Sequence, residues 1–289
     1  MTHPVTIASE RLTARIDPQG AELMSLCDGQ GRELMTPAEA THWGGHAPLL
    51  FPIVGRLNGD VLRLDGREYP MAQHGFARKS AWEVSAAGKE TASFTLRDSA
   101  ETRAAYPFAF ELAVLYFVED VTLTVAVRVS NPGPHPLPLS FGFHPAFAWP
   151  LPFGQPREDH RIVFQRDEAP TVVQLAGGLV ATEVPSPLAG RTLALDDALF
   201  AHDALVWAPV ASQDVVYGAS HGPQLRISFP HTPYLGVWSQ PGAKFVCIEP
   251  WHGHADPTGF TGDFRDKPGV VTVAPGDEWR CTMRVTLEG

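Results

Sequence analysis

Short segments of alternating apolar and polar residues run through most of the chain, separated by glycine and proline. The clearest is Val121–Val129, where every odd-numbered position is apolar, so one face of a strand is buried and the other faces solvent or a second sheet. The pair Asp65-Gly66 joins Val61–Leu64 to Arg67–Tyr69 and favours a tight hairpin. Further strands are predicted at Ser93–Arg97, Glu111–Phe117, Arg161–Phe164, Gln224–Phe229, Phe245–Glu249, Val270–Val273 and Trp279–Leu287.

Helical periodicity is weak by comparison. The best helix candidate is Ala100–Ala105, which Pro107 limits to a turn or two. No fixed-period repeat, low-complexity linker or block of charge marks a domain boundary. We therefore expect an all-β protein with a single domain over residues 1–289, built as a large antiparallel β-sandwich whose concave face suits a small polar ligand.

Composition narrows the range of partners. Apolar residues make up 44% of the chain and charged residues 19%, a balance typical of folded rather than disordered proteins. The formal net charge is -10, which disfavours binding to a nucleic-acid backbone or to an anionic membrane surface. A neutral ligand suits this charge, although one phosphate would need only a few local basic groups.

The cysteines predict neither a disulfide framework nor structural zinc. Cys27, Cys247 and Cys281 are odd in number and lack CxxC spacing, so we expect reduced, buried thiols. The N-terminal segment shows no basic stretch followed by an apolar run, and no segment is long enough to span a bilayer. We expect a cytoplasmic monomer or homodimer.

Two histidines lie in contexts that point to function. His74 lies in Gln73–Arg78, beside a glycine that lets another group approach the backbone; the alternative is a turn histidine bonded to a carbonyl. His144 lies in Ser140–Phe147, an aromatic run where partial burial would move its pKa across the working range. The alternative for His144 is a packed ring whose nitrogen bonds a neighbouring strand.

Glu249 follows the apolar segment Phe245–Ile248. Burial there would raise the pKa of its carboxyl toward the range useful for a general base. Pro250 comes next, so we expect the strand to stop and Glu249 to lie at the rim of the sheet. A solvent-exposed glutamate fits less well, because Trp251 follows the proline and apolar residues precede the carboxylate.

Five motifs together suggest a family. They are Phe51–Arg56, His74–Arg78, His144-Pro145, Cys247–Trp251, and Lys267–Gly269 with Ala274–Gly276. In this order they resemble the aldose 1-epimerase (galactose mutarotase-like) family, and within it the LacX-like branch, over nearly the whole chain. The resemblance implies a β-supersandwich that interconverts the α and β anomers of an aldohexose without a cofactor or a metal.

Site residues follow from the resemblance by motif. It implies that Glu249 is the general base and His144 the general acid, with His74 and Arg56 holding the sugar. It also implies that Asp203 is the family's sugar-binding aspartate. Galactose-specific members carry an asparagine shortly before the first histidine motif, where this chain has Gln73, so a preference for galactose does not follow.

Mutarotation itself requires one acid and one base across the sugar, because the anomeric hydroxyl loses a proton while the ring oxygen gains one. Trp251 and Trp238 offer flat apolar surfaces for the C–H faces of a pyranose, although each can equally be a core residue. Arg78 can bond sugar hydroxyls. Asp256 either faces the same pocket or caps a turn.

Three other functions stay open. A hexose-6-phosphate mutarotase would use Arg56, Arg78 and Lys79 to hold the phosphate. A metal-dependent enzyme would draw its ligands from a carboxylate-histidine cluster formed by Glu249, His252, His254 and Asp256. A non-catalytic sugar-binding or sensing module would use the same pocket as the mutarotase.

Overall fold

The computed structural model describes residues 3–289. Residues 1 and 2 lie outside that range. The predicted single domain over residues 1–289 and the N-terminal segment both include them. The strands in chain order are β1 (Val5–Ala8), β2 (Leu12–Asp17), β3 (Glu22–Asp28), β4 (Leu49–Leu50), β5 (Val61–Leu64), β6 (Arg67–Pro70), β7 (Glu83–Ala87), β8 (Thr91–Arg97), β9 (Glu111–Glu119), β10 (Thr122–Ser130), β11 (Leu137–Leu139), β12 (Phe141–Phe143), β13 (Ala146–Ala148), β14 (Arg161–Phe164), β15 (Thr171–Ala176), β16 (Leu179–Pro185), β17 (Thr192–Ala194), β18 (Leu205–Trp207), β19 (Asp214–Gly218), β20 (Gln224–Ser228), β21 (Tyr234–Trp238), β22 (Phe245–His252), β23 (Val271–Val273) and β24 (Glu278–Glu288).

Helical segments are short. They are the α-helix α1 (Ala100–Ala105) and the 3-10 turns Asn58–Asp60, Ala77–Lys79, Arg157–Asp159, Asp197–Phe200 and Phe264–Asp266. In the described part of the chain, none of them has the length and apolar character needed to cross a membrane. The predicted helix is confirmed, and a capping box formed by Ser99 and Thr102 begins it.

Two antiparallel sheets form the body of the protein. A nine-stranded sheet runs β17-β14-β19-β20-β24-β10-β9-β8-β7, and an eight-stranded sheet runs β16-β15-β18-β21-β22-β12-β4, with β13 also paired to β22. One buried apolar cluster draws on both sheets, through residues such as Val114 and Val125 of the first and Val237 and Ile248 of the second. The predicted all-β antiparallel sandwich is therefore confirmed.

The strands predicted from alternation are present within three residues of their predicted bounds. β10 pairs along its whole length with β9 and β24, and its buried positions are the apolar ones from Leu123 to Val129. The β5–β6 hairpin turns through Asp65 and Gly66, with φ values of 50° and 73°. Positive φ at both central residues matches the twist of the flanking strands.

Pro250 does not end its strand, so the expectation that Glu249 lies at the rim of the sheet is wrong. On one side of β22, Glu249 pairs with Gly236 of β21. On the other side, the N–H of Ile248 donates to the carbonyl of Pro145. Because successive N–H groups alternate sides, the missing donor of Pro250 faces the same neighbour, at the break between β12 and β13.

A hydrogen bond from a buried tyrosine ties the two large sheets together. The hydroxyl of Tyr217, in β19, donates to the carbonyl of Ala148, in β13, over 2.6 Å. The Tyr217 side chain is fully buried, so its hydroxyl needs this acceptor.

Removing that hydroxyl should weaken the fold. We expect Tyr217→Phe to lower the free energy of unfolding by about 1–2 kcal/mol, because the carbonyl of Ala148 loses a buried partner. Urea denaturation followed by circular dichroism measures the change, with Tyr69→Phe in the β5–β6 hairpin as a partly exposed control. An unchanged free energy of unfolding in Tyr217→Phe would contradict the role of this bond.

Candidate active site

A cavity of about 420 Å³ opens on the outer face of the eight-stranded sheet. Along β22, Val246 and Ile248 enter the core shared by the two sheets, so Glu249 and Trp251 project to the opposite face and line the cavity. Residues outside the strands complete the walls, among them Trp43, His74, Arg78, His144, Asp203 and His254.

His144 faces Glu249 across neighbouring strands. β12 and β13 pair with β22 in one continuous register, which places His144, between them, directly opposite Glu249. The adjacent pair, Pro145 with Ile248, is joined by a backbone hydrogen bond. His144 and Glu249 therefore occupy a non-hydrogen-bonded position, where opposite side chains approach most closely. Nε2 of His144 lies 3.1 Å from Oε2 of Glu249.

Burial controls the charge of this pair. His144 is 8% exposed and Glu249 is 2% exposed. Burial raises the pKa of Glu249 well above its usual range, and the Asp203 carboxylate raises it further. Burial lowers the pKa of His144 to about 3, so the expectation that its pKa lies in the working range is wrong. Both shifts favour the uncharged forms, a protonated carboxyl group on Glu249 and a neutral imidazole on His144.

Trp251 forms part of the cavity floor. A Cβ on Gly142 would lie 2.6 Å from Cδ1 of Trp251, and a Cβ on Gly236 would lie 2.5 Å from Cη2. Any side chain at either glycine would therefore displace the indole, which lies across the two strands beside β22. The glycines allow Trp251 to present a flat apolar surface to the cavity.

His74 is held in a left-handed backbone conformation, with φ of 66°. Its Nδ1 accepts a hydrogen bond of 3.1 Å from the N–H of Gly55, so the ring proton is on Nε2. Burial lowers the pKa of His74 well below its usual value, and the nearby His144 and Arg78 lower it further. His74 is thus a neutral hydrogen-bond donor in the cavity wall, with its ring centroid 5.7 Å from that of His144.

Arg78 and Asp203 supply opposite charges to the cavity lining. Nη2 of Arg78 donates to the carbonyl of Gln73 over 2.9 Å, while its Nε is buried and has no hydrogen-bond partner among residues 3–289. Oδ1 of Asp203 accepts from the N–H of Ala204 over 2.8 Å. These side chains provide a donor and an acceptor on the wall around the histidine–glutamate pair.

Two tryptophans form an aromatic corner. Trp43 and Trp238 meet edge to face at 5.7 Å, and the Trp43 ring lies 5.0 Å from that of His144. Trp238 was predicted to line the pocket and does so. The sequence reasoning missed Trp43, although a tryptophan beside Gly44 and Gly45 in a long loop was a usable signal.

Two predicted sugar contacts do not line the cavity. Arg56 is exposed outside it and forms a salt bridge with Asp60 at 2.8 Å. Asp256 is buried and lies 3.3 Å from Nζ of Lys267, while its other carboxylate oxygen accepts from the N–H of Asn58. Both side chains therefore bind partners outside the pocket. The contacts of Asp256 also stabilise the loop that follows His254.

The carboxylate–histidine cluster that the alternative of a metal-dependent enzyme requires does not form. His254 lines the cavity, with its Nδ1 2.7 Å from the carbonyl of Ala255, whereas His252 packs against Trp279 with ring centroids 4.8 Å apart. The group of potential metal ligands that comes together within residues 3–289 is a different one, formed by His144, Cys247 and Glu249.

The buried ion pair beneath the cavity gives a stability prediction. Lys267→Met would leave the Asp256 carboxylate buried without its cation, at a cost of about 3–5 kcal/mol in the free energy of unfolding. Urea denaturation measures this loss. Lys244→Met is the matched control and should have little effect, because the pair of Lys244 with Glu39 is exposed and screened by water. Equal losses in the two variants would contradict the prediction.

Comparison with known proteins places the chain in a family. The family model for aldose 1-epimerase matches residues 3–286. The plasmid-encoded protein LacX of Lactococcus lactis subsp. lactis is 29% identical over 295 residues, covering 98% of this chain and 99% of LacX.

Solved structures agree in fold. A galactose mutarotase related enzyme from Lactobacillus acidophilus superposes with a TM-score of 0.92 at 32% identity, covering 99% of this chain and 97% of that one. A galactose mutarotase-like protein from Lactobacillus casei gives a TM-score of 0.92 at 30% identity, covering 99% and 100%. The chain belongs to the aldose 1-epimerase family.

Proposed function

We propose that the protein is a mutarotase that interconverts the α and β anomers of a free aldohexose. The observation that carries this proposal is the buried pair of His144 and Glu249, whose Nε2 and Oε2 atoms lie 3.1 Å apart in the floor of a sugar-sized cavity. General acid–base catalysis of ring opening requires one group that donates a proton and one that accepts it.

In the proposed cycle, sugar binding moves the proton that Glu249 holds to Nε2 of His144, 3.1 Å away, so that Glu249 is a carboxylate and His144 carries the proton when the reaction begins. Glu249 takes the proton of the anomeric hydroxyl, His144 gives its proton to the ring oxygen, and the bond between the anomeric carbon and the ring oxygen breaks. Rotation about the first carbon–carbon bond presents the other face of the aldehyde. Reclosure returns both protons, so the pair again holds one proton and nothing is consumed.

The remaining wall residues bind and orient the sugar in this proposal. His74 donates from Nε2, and Arg78 donates and Asp203 accepts at sugar hydroxyls. Trp251 and Trp238 pack against the C–H faces of the pyranose ring. Holding the sugar in this way places the anomeric hydroxyl and the ring oxygen beside the acid–base pair.

A free sugar is better supported than a sugar phosphate. Among residues 3–289, Arg78 is the single arginine in the cavity wall, and no lysine lines that wall. Arg56 is outside and paired with Asp60. Two carboxylic groups, Asp203 and Glu249, also line the cavity and disfavour a bound phosphate. A catalytic role is better supported than binding alone, because sugar binding needs no buried acid–base pair.

Replacing the base should abolish most of the activity. We expect Glu249→Gln to lower kcat for anomer exchange by a factor of about 10²–10⁴, because the amide cannot take up the proton of the anomeric hydroxyl. Exchange is measured by NMR on glucose, galactose and their 6-phosphates. Glu68→Gln on the exposed β6 strand is the control. Equal exchange rates for Glu249→Gln and the wild type would overturn the mechanism.

The pH dependence should lack a normal histidine titration. Because burial lowers the pKa of His144 to about 3, the pair gains a second proton only in strong acid. Because burial raises the pKa of Glu249 well above its usual range, the pair loses its proton only at a higher pH than a free carboxyl group does. We therefore expect kcat/KM for exchange to stay flat through about pH 6.5, where a free histidine titrates.

Polarimetry at a series of pH values tests this, after subtraction of the uncatalysed rate. His254→Gln is the control variant, because His254 also lines the cavity. An inflection near pH 6.5 that persists in His254→Gln would contradict the assigned state of the pair.

A further inference from the structure

We propose that His144, Cys247 and Glu249 form a binding site for a thiophilic divalent cation, such as Zn²⁺ or Cd²⁺, and that occupation of this site blocks the acid–base pair. One ligand atom from each side chain lies within 4.8 Å of the other two. All three side chains are buried, with exposures of 8%, 0% and 2%. The blocking effect rests on the proposed mutarotase function, whereas the site itself rests on geometry.

The strand register brings the three ligands together. Cys247 and Glu249 are two residues apart on β22, so both point to the cavity side of the sheet. His144 is opposite Glu249, and Ala146 is opposite Cys247. The methyl group of Ala146 cannot bind a metal ion. The ligating groups next to the Cys247 thiol are therefore the imidazole of His144 and the carboxylate of Glu249.

The ligand set suits zinc. Imidazole nitrogen, thiolate sulfur and carboxylate oxygen are its common protein ligands, bound at about 2.0–2.3 Å. Ligand atoms around a tetrahedral ion are then roughly 3.3–3.8 Å apart, so the most widely separated pair, within 4.8 Å, needs to close by up to about 1 Å. Three protein ligands leave one position open toward the cavity, for water or a sugar hydroxyl.

The polar atoms of the site are available. Oε2 of Glu249 and Nδ1 of His144 are buried and lack hydrogen-bond partners among the residues that the structure describes. His144 and Glu249 line the cavity, whereas Cys247 does not, so an ion reaches the thiol by passing between them. On binding, the thiol proton and the single proton held by the His144–Glu249 pair are both released to solvent as the metal–ligand bonds form.

Occupation of this site is incompatible with the proposed chemistry. A bound ion uses the Nε2 lone pair of His144 and the carboxylate of Glu249, the same atoms that exchange protons with the sugar. Zn²⁺ would therefore act as a reversible inhibitor, and a chelator would restore the rate. The ion has no part in turnover.

The test titrates the intact protein with Cd²⁺ and with Zn²⁺. Cd²⁺ bound to a thiolate gives an ultraviolet charge-transfer band, and calorimetry gives the stoichiometry and affinity of Zn²⁺. We expect one ion per chain, the thiolate band, and inhibition of anomer exchange that a chelator reverses. Cys247→Ala should lose the band and weaken Zn²⁺ binding by at least about 10–100-fold, since even outer partners of metal ligands contribute that much.

Cys281→Ala is the matched control, because this thiol is also buried but lies on β24 of the other sheet. It should bind Cd²⁺ and Zn²⁺ as the wild type does. Inhibition is expressed relative to the metal-free rate of each variant. A band that persists in Cys247→Ala, or equal Zn²⁺ affinity in Cys247→Ala and wild type, would overturn the proposal. If the protein failed to exchange anomers at all, the band and the calorimetry would still decide whether the metal site exists.

Discussion

The antiparallel pairing of β22 with the segment from β12 to β13 sets the position of the groups in the cavity floor. One register places His144 opposite Glu249, and Pro145 and Pro250 lie beside that pair, where each lacks a backbone donor. β12 and β13 pair with β22 in the same register, so the chain stays beside β22 through the break between β12 and β13. A slip of one residue would turn every floor side chain into the core.

Burial gives the same pair its chemical character. A carboxyl group and an imidazole removed from water both favour their neutral forms, so burial makes Glu249 a weaker acid and His144 a weaker base than either group is in water. The apolar environment that imposes this state comes from aromatic side chains. Trp43 packs against His144, and the Trp251 ring lies over Gly142 and Gly236 on the strands beside β22. The residues that shape the pocket for a sugar are thus also those that tune the acid and the base.

The sequence predicted the nine-stranded sheet better than the eight-stranded one, for a physical reason. β10 and β9 are buried on one face, so their apolar residues alternate and are easily recognised. β22, β12 and β4 are buried on both faces, because one face packs on the core and the other is covered around the cavity. Apolar and polar residues do not alternate in these strands. The sequence pattern therefore did not show that β22 continues past Pro250.

By itself, the sequence determined the all-β class, the tight hairpin at Asp65-Gly66, the family and an unusual buried carboxylate, because these depend on local composition and on motif order. The roles of the site residues, the single domain and the cytoplasmic location stay predictions. Only the tertiary structure decided that His144 meets Glu249, that Arg56 and Asp256 have other partners, and that Cys247 lies beside the pair. Such contacts join residues far apart in the chain, so they depend on strand register and burial rather than on local pattern.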